Sequence, residues 1–133
     1  MYAGMRKALV HMLREAHRRY PEIPMILNRA LWILPVVASS VQGELFEDFC
    51  REYYFRKKAY AFVPAWVMKR DNAFVRVAKV INPSLTVLTV DYGRPEEIGP
   101  MRHCFSESRK RGYHPYFTTL HVSQLRTFNL RYP

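Results

Sequence analysis

Apolar and polar residues alternate through the middle of the chain. From residue 60 the pattern changes to period two, in three β-rich runs at residues 60–68, 73–81 and 85–92. Polar turns separate these runs at residues 69–72 and 82–84. Period-two runs between turn residues are typical of β-strands, and tight turns between them predict an antiparallel meander that favours a small barrel. The residues expected to be buried in this sheet are Val75, Val77, Leu85 and Val87.

Helical periodicity marks the beginning of the chain. Residues 3–20 predict an amphipathic helix, because their apolar residues fall on one face at 100° per residue. The apolar face consists of Met5, Leu9, Met12, Leu13, Ala16 and Tyr20. The opposite face is basic and consists of Lys7, His11, Arg14 and Arg18. We interpret this basic face either as a solvated surface or as a partner-binding surface for phosphate or acidic groups.

Four shorter segments complete the predicted elements. Residues 31–37 are rich in branched apolar residues and favour a strand, because Pro35 is tolerated at a sheet edge more easily than inside a helix. Residues 44–58 predict a helix, with acidic residues in its first turns and basic residues in its last. Residues 101–110 predict a further helix that ends at a glycine, and residues 119–125 a last strand.

Length and composition favour one folded α+β domain. The chain has 133 residues, which suits a single domain, and 49% are hydrophobic, which argues against disorder. The expected segments are an N-terminal amphipathic helix at 1–24, a strand and linking helix at 25–59, a barrel at 60–104, and a C-terminal helix and strand at 105–133. The net charge of +10 predicts attraction to polyanions or acidic protein segments.

The cysteines and histidines give little support for a metal site. Cys50 and Cys104 are far apart and form no Cys-x-x-Cys pair, which excludes a zinc ribbon. Two free thiols in a reducing compartment are the default interpretation, with one disulfide as the alternative. The spacing of His103, His114 and His121 fits no metal site, so neither a metal nor a cofactor is expected.

No catalytic motif is present in the sequence. A glycine-rich phosphate loop and a Gly-x-Ser-x-Gly elbow are both absent. Asp91 lies at the end of a predicted strand, but no second carboxylate is placed to act with it. The sequence therefore favours a binding protein over an enzyme.

Residues 74–98 carry a more specific pattern. The run from Phe74 reads Phe-Val-Arg-Val-Ala-Lys-Val, and the next run ends in Val-Asp-Tyr-Gly, followed by Arg-Pro-Glu-Glu-Ile. This pattern resembles the core of a Tudor domain, and the helix predicted at 44–58 lies where extended Tudor domains carry one. The resemblance implies an α+β fold: a small antiparallel SH3-like (Tudor) barrel with flanking helices and extra strands from the N- and C-terminal segments.

The resemblance also implies an aromatic cage for methylated arginine or lysine, in which the cation lies over ring faces. Tyr92 matches one cage position. Thr89 and Val75 stand where further rings would lie, and Arg94 would repel a cationic ligand. We therefore interpret the cage as degenerate and expect no useful binding of dimethyl-arginine. The candidate ligand-binding residues are Tyr92, Phe74, Trp66 and Asp91.

Two functions follow as hypotheses. The first is a protein-interaction module of the extended Tudor type, a scaffold in germ-granule or small-RNA assemblies. The alternative is a basic RNA-binding structural subunit of a ribonucleoprotein such as a mitochondrial ribosome. The expected partner is a protein or peptide, with acidic partners favoured and RNA as a further candidate. No membrane association is expected. The expected location is cytoplasmic, in granules for a scaffold, with mitochondria as the alternative.

Overall fold

A computed structural model describes residues 3–122 of the chain. Its helices and strands follow one another in the order α1 Ala3–Arg19, β1 Ile26–Asn28, α2 Leu34–Val37, β2 Gly43–Glu47, β3 Arg51–Tyr54, β4 Ala59–Phe62, α3 Ala65–Ile81, β5 Thr86–Tyr92, α4 Ile98–Arg109 and β6 His114–Thr118. Short 3-10 turns occur at Ala38–Ser40 and Phe55–Lys57. Within the described part, no helix is both long enough and apolar enough to span a membrane.

The main sheet has four strands in the order β1-β2-β5-β6, which is their order along the chain. β1 pairs with β2 in parallel, as does β5 with β6. Parallel neighbours need crossover connections, and α2, α3 and α4 lie between successive strands. β3 and β4 form a separate antiparallel hairpin. A parallel sheet whose strands keep their chain order is the arrangement found in β/α barrels.

The predicted fold class is therefore wrong. An SH3-like Tudor barrel at 60–104 requires an antiparallel meander, whereas these residues contribute β4, α3, β5 and part of α4. The run at 73–81 belongs to α3. Its buried residues Val75 and Ala78 are three positions apart, as on a helix face, whereas Val77 is 51% exposed. Of the four valines and leucines predicted to be buried, Val77 alone is not.

Two further elements were predicted incorrectly. Residues 44–58 form no helix; they contain most of β2, all of β3 and a 3-10 turn. Residues 31–37 form no strand; they contain the short helix α2. Pro35 lies in its first turn, where backbone N–H groups make no hydrogen bond within the helix, so the lack of an N–H in proline has no cost there. The last strand was predicted at 119–125, but residues 119–122 form no strand, and β6 ends just before them at Thr118. Residues 123–125 lie outside the described part.

Three predicted elements are confirmed. α1 begins and ends within one residue of the predicted helix, although Met5, Met12 and Tyr20 on its apolar face are exposed and Leu13 is buried. β5 agrees with the predicted run, and α4 covers most of the predicted helix at 101–110. Gly112 follows α4 with φ +71°, a conformation that a glycine adopts without strain.

The described residues form two compact units. The first contains residues 3–45 and 69–86, and its fully buried side chains include Ile33, Leu34, Val37, Val41 and Val75. The second contains residues 46–68 and 87–122. In the second unit, Met101 and Phe105 of α4 pack against Phe117 of β6. This contact shows that α4 covers the face of β6 to which Phe117 points.

Candidate active site at the carboxyl ends of the strands

The carboxyl ends of parallel strands meet at one edge of a sheet, where β/α proteins place their functional residues. In the second unit, β2 ends at Glu47 and β5 ends at Tyr92. The Tyr92 hydroxyl hydrogen-bonds to the Glu47 carboxylate. Burial raises the pKa of Tyr92 to about 12, and the negative charges of Glu47 and Asp48 add to this effect. The tyrosine therefore stays protonated and can donate a hydrogen bond at neutral pH.

Asp48 follows directly after β2 in a left-handed conformation with φ 50°. Aspartate tolerates this conformation better than most residues, because its short polar side chain can bond locally. The Asp48 backbone N–H donates to the Val90 carbonyl at 2.9 Å, which extends the strand pairing beyond Glu47. Both carboxylates are only partly buried. We call Glu47, Asp48 and Tyr92 the edge cluster.

Neighbouring residues of β5 point to opposite faces of the sheet. Asp91 pairs in register with Phe117, whose ring packs on α4, so Asp91 points to the helix-covered side. Tyr92 pairs with Thr118 and points to the other side. Asp91 and the edge cluster therefore have different surroundings despite their adjacency in the chain.

Asp91 holds a loop in place. Its Oδ1 accepts hydrogen bonds from the backbone N–H groups of Cys50 at 2.6 Å and Arg51 at 2.8 Å. Burial raises the pKa of Asp91 to about 7, although the two hydrogen bonds oppose this shift. A perturbed carboxyl can mark a catalytic site, but this one is 1% exposed and lies beneath the helices. Its geometry fits a structural role for Asp91.

A disulfide bond joins Cys50, just after β2, to Cys104 on α4. The alternative of one disulfide is therefore confirmed over two free thiols. Both sulfur atoms lie near the Asp91 carboxylate, in the arrangement that a metal site would need. Bonded to each other, however, the sulfurs cannot supply the thiolates that metal ions bind, so this cluster does not fit a metal ion.

The loop after β5 is fixed by Glu97. This carboxylate accepts a hydrogen bond from the Arg51 guanidinium and another from the Arg94 backbone N–H at 2.7 Å. The Gly93 N–H donates to the Thr118 carbonyl at 2.9 Å. Because the loop is bonded at both ends, the backbone beside the edge cluster is held in one arrangement.

The residues proposed for the aromatic cage belong to two different elements of the structure. Tyr92 and Asp91 lie on β5, whereas Trp66 and Phe74 lie on α3, and Trp66 is 66% exposed. Without a Tudor barrel, the basis for grouping them as a cage is lost. Whether any of them contacts a ligand stays a prediction. The basic face of α1 is present: Lys7, His11 and Arg14 border a groove of about 560 Å³ in the first unit.

Sequence reasoning missed Glu47 and Asp48, which it placed in the first turns of a helix. The segment Glu-Leu-Phe-Glu-Asp ends in two acidic residues, but its two adjacent apolar residues do not alternate with polar ones as in a half-buried strand. This order also fits a helix, so the sequence does not distinguish the two. Arg18 of the basic face is paired with Glu15 on the same helix.

Comparison with known proteins gives matches among solved structures. No family model matches the chain, and no curated protein sequence does. The glycoside hydrolase domain of PelA from Pseudomonas aeruginosa aligns with a TM-score of 0.77 and 22% identity, over 92% of this chain and 47% of that chain. A glutamate-to-alanine variant of that domain gives 0.76 and 21%, with the same coverage. The chain thus spans less than half the length of these structures.

These matches correct the functional expectations. Neither the Tudor interaction module nor the ribosomal subunit agrees with a structural likeness to a glycoside hydrolase domain, and the expectation of a non-enzyme is wrong on the same ground. The expected partners and cellular location stay predictions. At 22% identity the likeness concerns architecture, and it agrees with the parallel strand order. The chain shares the fold of a glycoside hydrolase domain.

Proposed function

We propose that the chain contributes to a carbohydrate-active site of the glycoside hydrolase type, with Glu47 as a catalytic carboxylate. The observation that carries this proposal is the edge cluster itself. Two partly exposed carboxylates and a protonated tyrosine lie at the strand edge where β/α enzymes hold their substrates. A shared fold alone would not be sufficient support, because one fold can host many functions.

The chemistry of glycoside hydrolysis fits such a cluster. Most of these enzymes use two carboxyl groups, one to protonate the leaving oxygen and one to act as nucleophile or to activate water. Tyr92 donates a hydrogen bond to the Glu47 carboxylate, and an oriented carboxylate that accepts hydrogen bonds fits the role of nucleophile or base. Tyr92 fixes the orientation of that carboxylate. Asp48, the next residue in the chain, is the candidate for the second carboxyl group.

The test is release of reducing ends from a panel of neutral, amino-sugar and uronic-acid polysaccharides. Glu47→Gln keeps the side-chain size and removes the charge, and it is expected to lower the rate by about 10²–10⁴-fold. Glu96→Gln is the matched control, because Glu96 is exposed in the loop after β5, and it should retain the wild-type rate. A Glu47→Gln protein as active as wild type, or a wild-type protein that cleaves none of the panel, would refute the proposal.

A further inference from the structure

A pocket of about 330 Å³ lies in the first unit, beside the end of β1. Ligand pockets usually begin at about this size and combine apolar walls with a few placed polar groups. The lining residues are Arg29, Leu31, Trp32, Arg70, Asp71 and Phe74. Three of them come from the segment just after β1, and the other three from α3. The pocket therefore lies next to a carboxyl strand end, the edge at which β/α enzymes bind ligands.

The segment after β1 is held in an unusual conformation. Arg29 has φ 48°, a left-handed backbone conformation that is strained for a non-glycine residue. Two hydrogen bonds to β2 maintain it: the Arg29 N–H donates to the Leu45 carbonyl at 2.9 Å, and the Ala30 N–H donates to Glu44 Oε1 at 3.0 Å. Glu44 is fully buried, and burial raises its pKa to about 8. This buried carboxyl thus positions the segment that carries Arg29 and Trp32.

The walls of the pocket combine rings with charge. Trp32 and Phe74 are partly exposed and provide ring surfaces. The Arg6 guanidinium lies over the Trp32 ring, 5.6 Å from its centroid, which leaves the opposite ring face for a ligand. The Arg70 guanidinium donates to Asp71 Oδ1 at 2.6 Å, and Asp71 is buried. Two guanidinium groups and one carboxylate leave the lining with one net positive charge. Such a site favours a monoanion that also carries hydroxyl groups, because the carboxylate can accept hydrogen bonds from hydroxyls but repels a phosphate dianion.

We propose that this pocket binds an acidic sugar residue, a hexuronic acid within an oligosaccharide. Arg29 and Arg70 would receive the sugar carboxylate, since guanidinium groups match carboxylates in geometry and charge. The apolar face of the sugar ring would stack on Trp32 or Phe74, and Asp71 would accept from a ring hydroxyl. The inference rests on the proposed function and adds a substrate class: polysaccharides that contain uronic acid.

The test compares two trisaccharides, one of galacturonic acid and one of galactose, by calorimetric titration of the full chain. We expect the acidic trisaccharide to bind at least tenfold more tightly. Arg29→Gln should abolish this preference, since glutamine meets the same backbone strain as arginine but has no charge. Arg56→Gln is the control, because Arg56 is exposed in the second unit and its substitution removes the same charge. Trp32→Leu should weaken the binding of both trisaccharides.

Several results would overturn the inference. These are equal affinity for the two trisaccharides, equal losses in Arg29→Gln and Arg56→Gln, or tighter binding of a sugar phosphate than of the uronate. Circular dichroism of each variant confirms that the fold is retained. Repeating the titration in Glu47→Gln separates the two proposals. For the wild-type protein, uronate binding without hydrolysis of any polysaccharide in the panel refutes the proposed function alone, whereas hydrolysis without a preference for uronate refutes the pocket alone.

Discussion

Removal of the disulfide should destabilise the protein by an amount set by its loop length. Cys50 and Cys104 are separated by 54 positions. Loop-closure entropy for a crosslink of this span corresponds to about 4 kcal/mol at 25 °C. Both cysteines are fully buried, so the double variant Cys50→Ala, Cys104→Ala also loses a little packing. The expected loss in the free energy of unfolding is therefore about 4 kcal/mol or slightly more.

Urea unfolding followed by circular dichroism measures this loss. With a slope of about 2 kcal/mol per molar urea, the midpoint should fall by about 2 M. Wild-type protein held in a phosphine reductant is the control, and its midpoint should approach that of the variant. A midpoint within about 0.5 M of oxidised wild type would refute the entropic argument.

The remaining predictions concern pH and packing. The pKa of Asp91 is about 7 in the folded protein, against an ordinary value of 3.8. The protonated carboxyl therefore contributes fully to the free energy of unfolding below about pH 4, and this contribution is lost as the pH rises to about 7. Asp91→Asn should make the free energy of unfolding less dependent on pH over this window. Val75→Asp should unfold the first unit, since an unpaired buried carboxylate costs several kcal/mol, whereas Val77→Asp should barely change the melting temperature. Gly93→Ala should lower the free energy of unfolding by about 1–3 kcal/mol, because the added Cβ would overlap the buried ring of Phe117. Gly99→Ala is the control, because its added Cβ would meet open space and should leave the free energy of unfolding unchanged. Denaturant titrations measure both.

The sequence predicted the elements that carry strong local signals. α1 and α4 have helical periodicity over at least three turns, and β5 alternates between two turn-forming segments. In these segments, local preference and tertiary structure agree. The prediction failed where an apolar run was short or interrupted. Proline is tolerated both at a sheet edge and in the first turn of a helix, so the secondary structure around Pro35 is determined by tertiary packing.

The helix α3 shows a different limit. It is 17 residues long, whereas the sequence pattern predicts two separate strands divided by a turn at the polar residues 69–72. Polar residues in the middle of a helix resemble a turn when they are read alone. In the structure Asp71 and Asn72 are buried within the helix, and Asp71 is paired with Arg70. Burial of a paired carboxylate is a tertiary feature, which a single sequence does not reveal.

The motif Val-Asp-Tyr-Gly explains why the Tudor resemblance was misleading. Each residue has a role at the end of β5. The Val90 carbonyl and the Asp91 carboxylate accept hydrogen bonds from the segment after β2, Tyr92 donates to Glu47, and Gly93 leaves room for the ring of Phe117. None of these roles depends on whether the neighbouring strands are parallel or antiparallel. The motif therefore specifies how a strand ends, whereas the direction of pairing depends on the connections between strands. Here those connections are helical, and they make the sheet parallel.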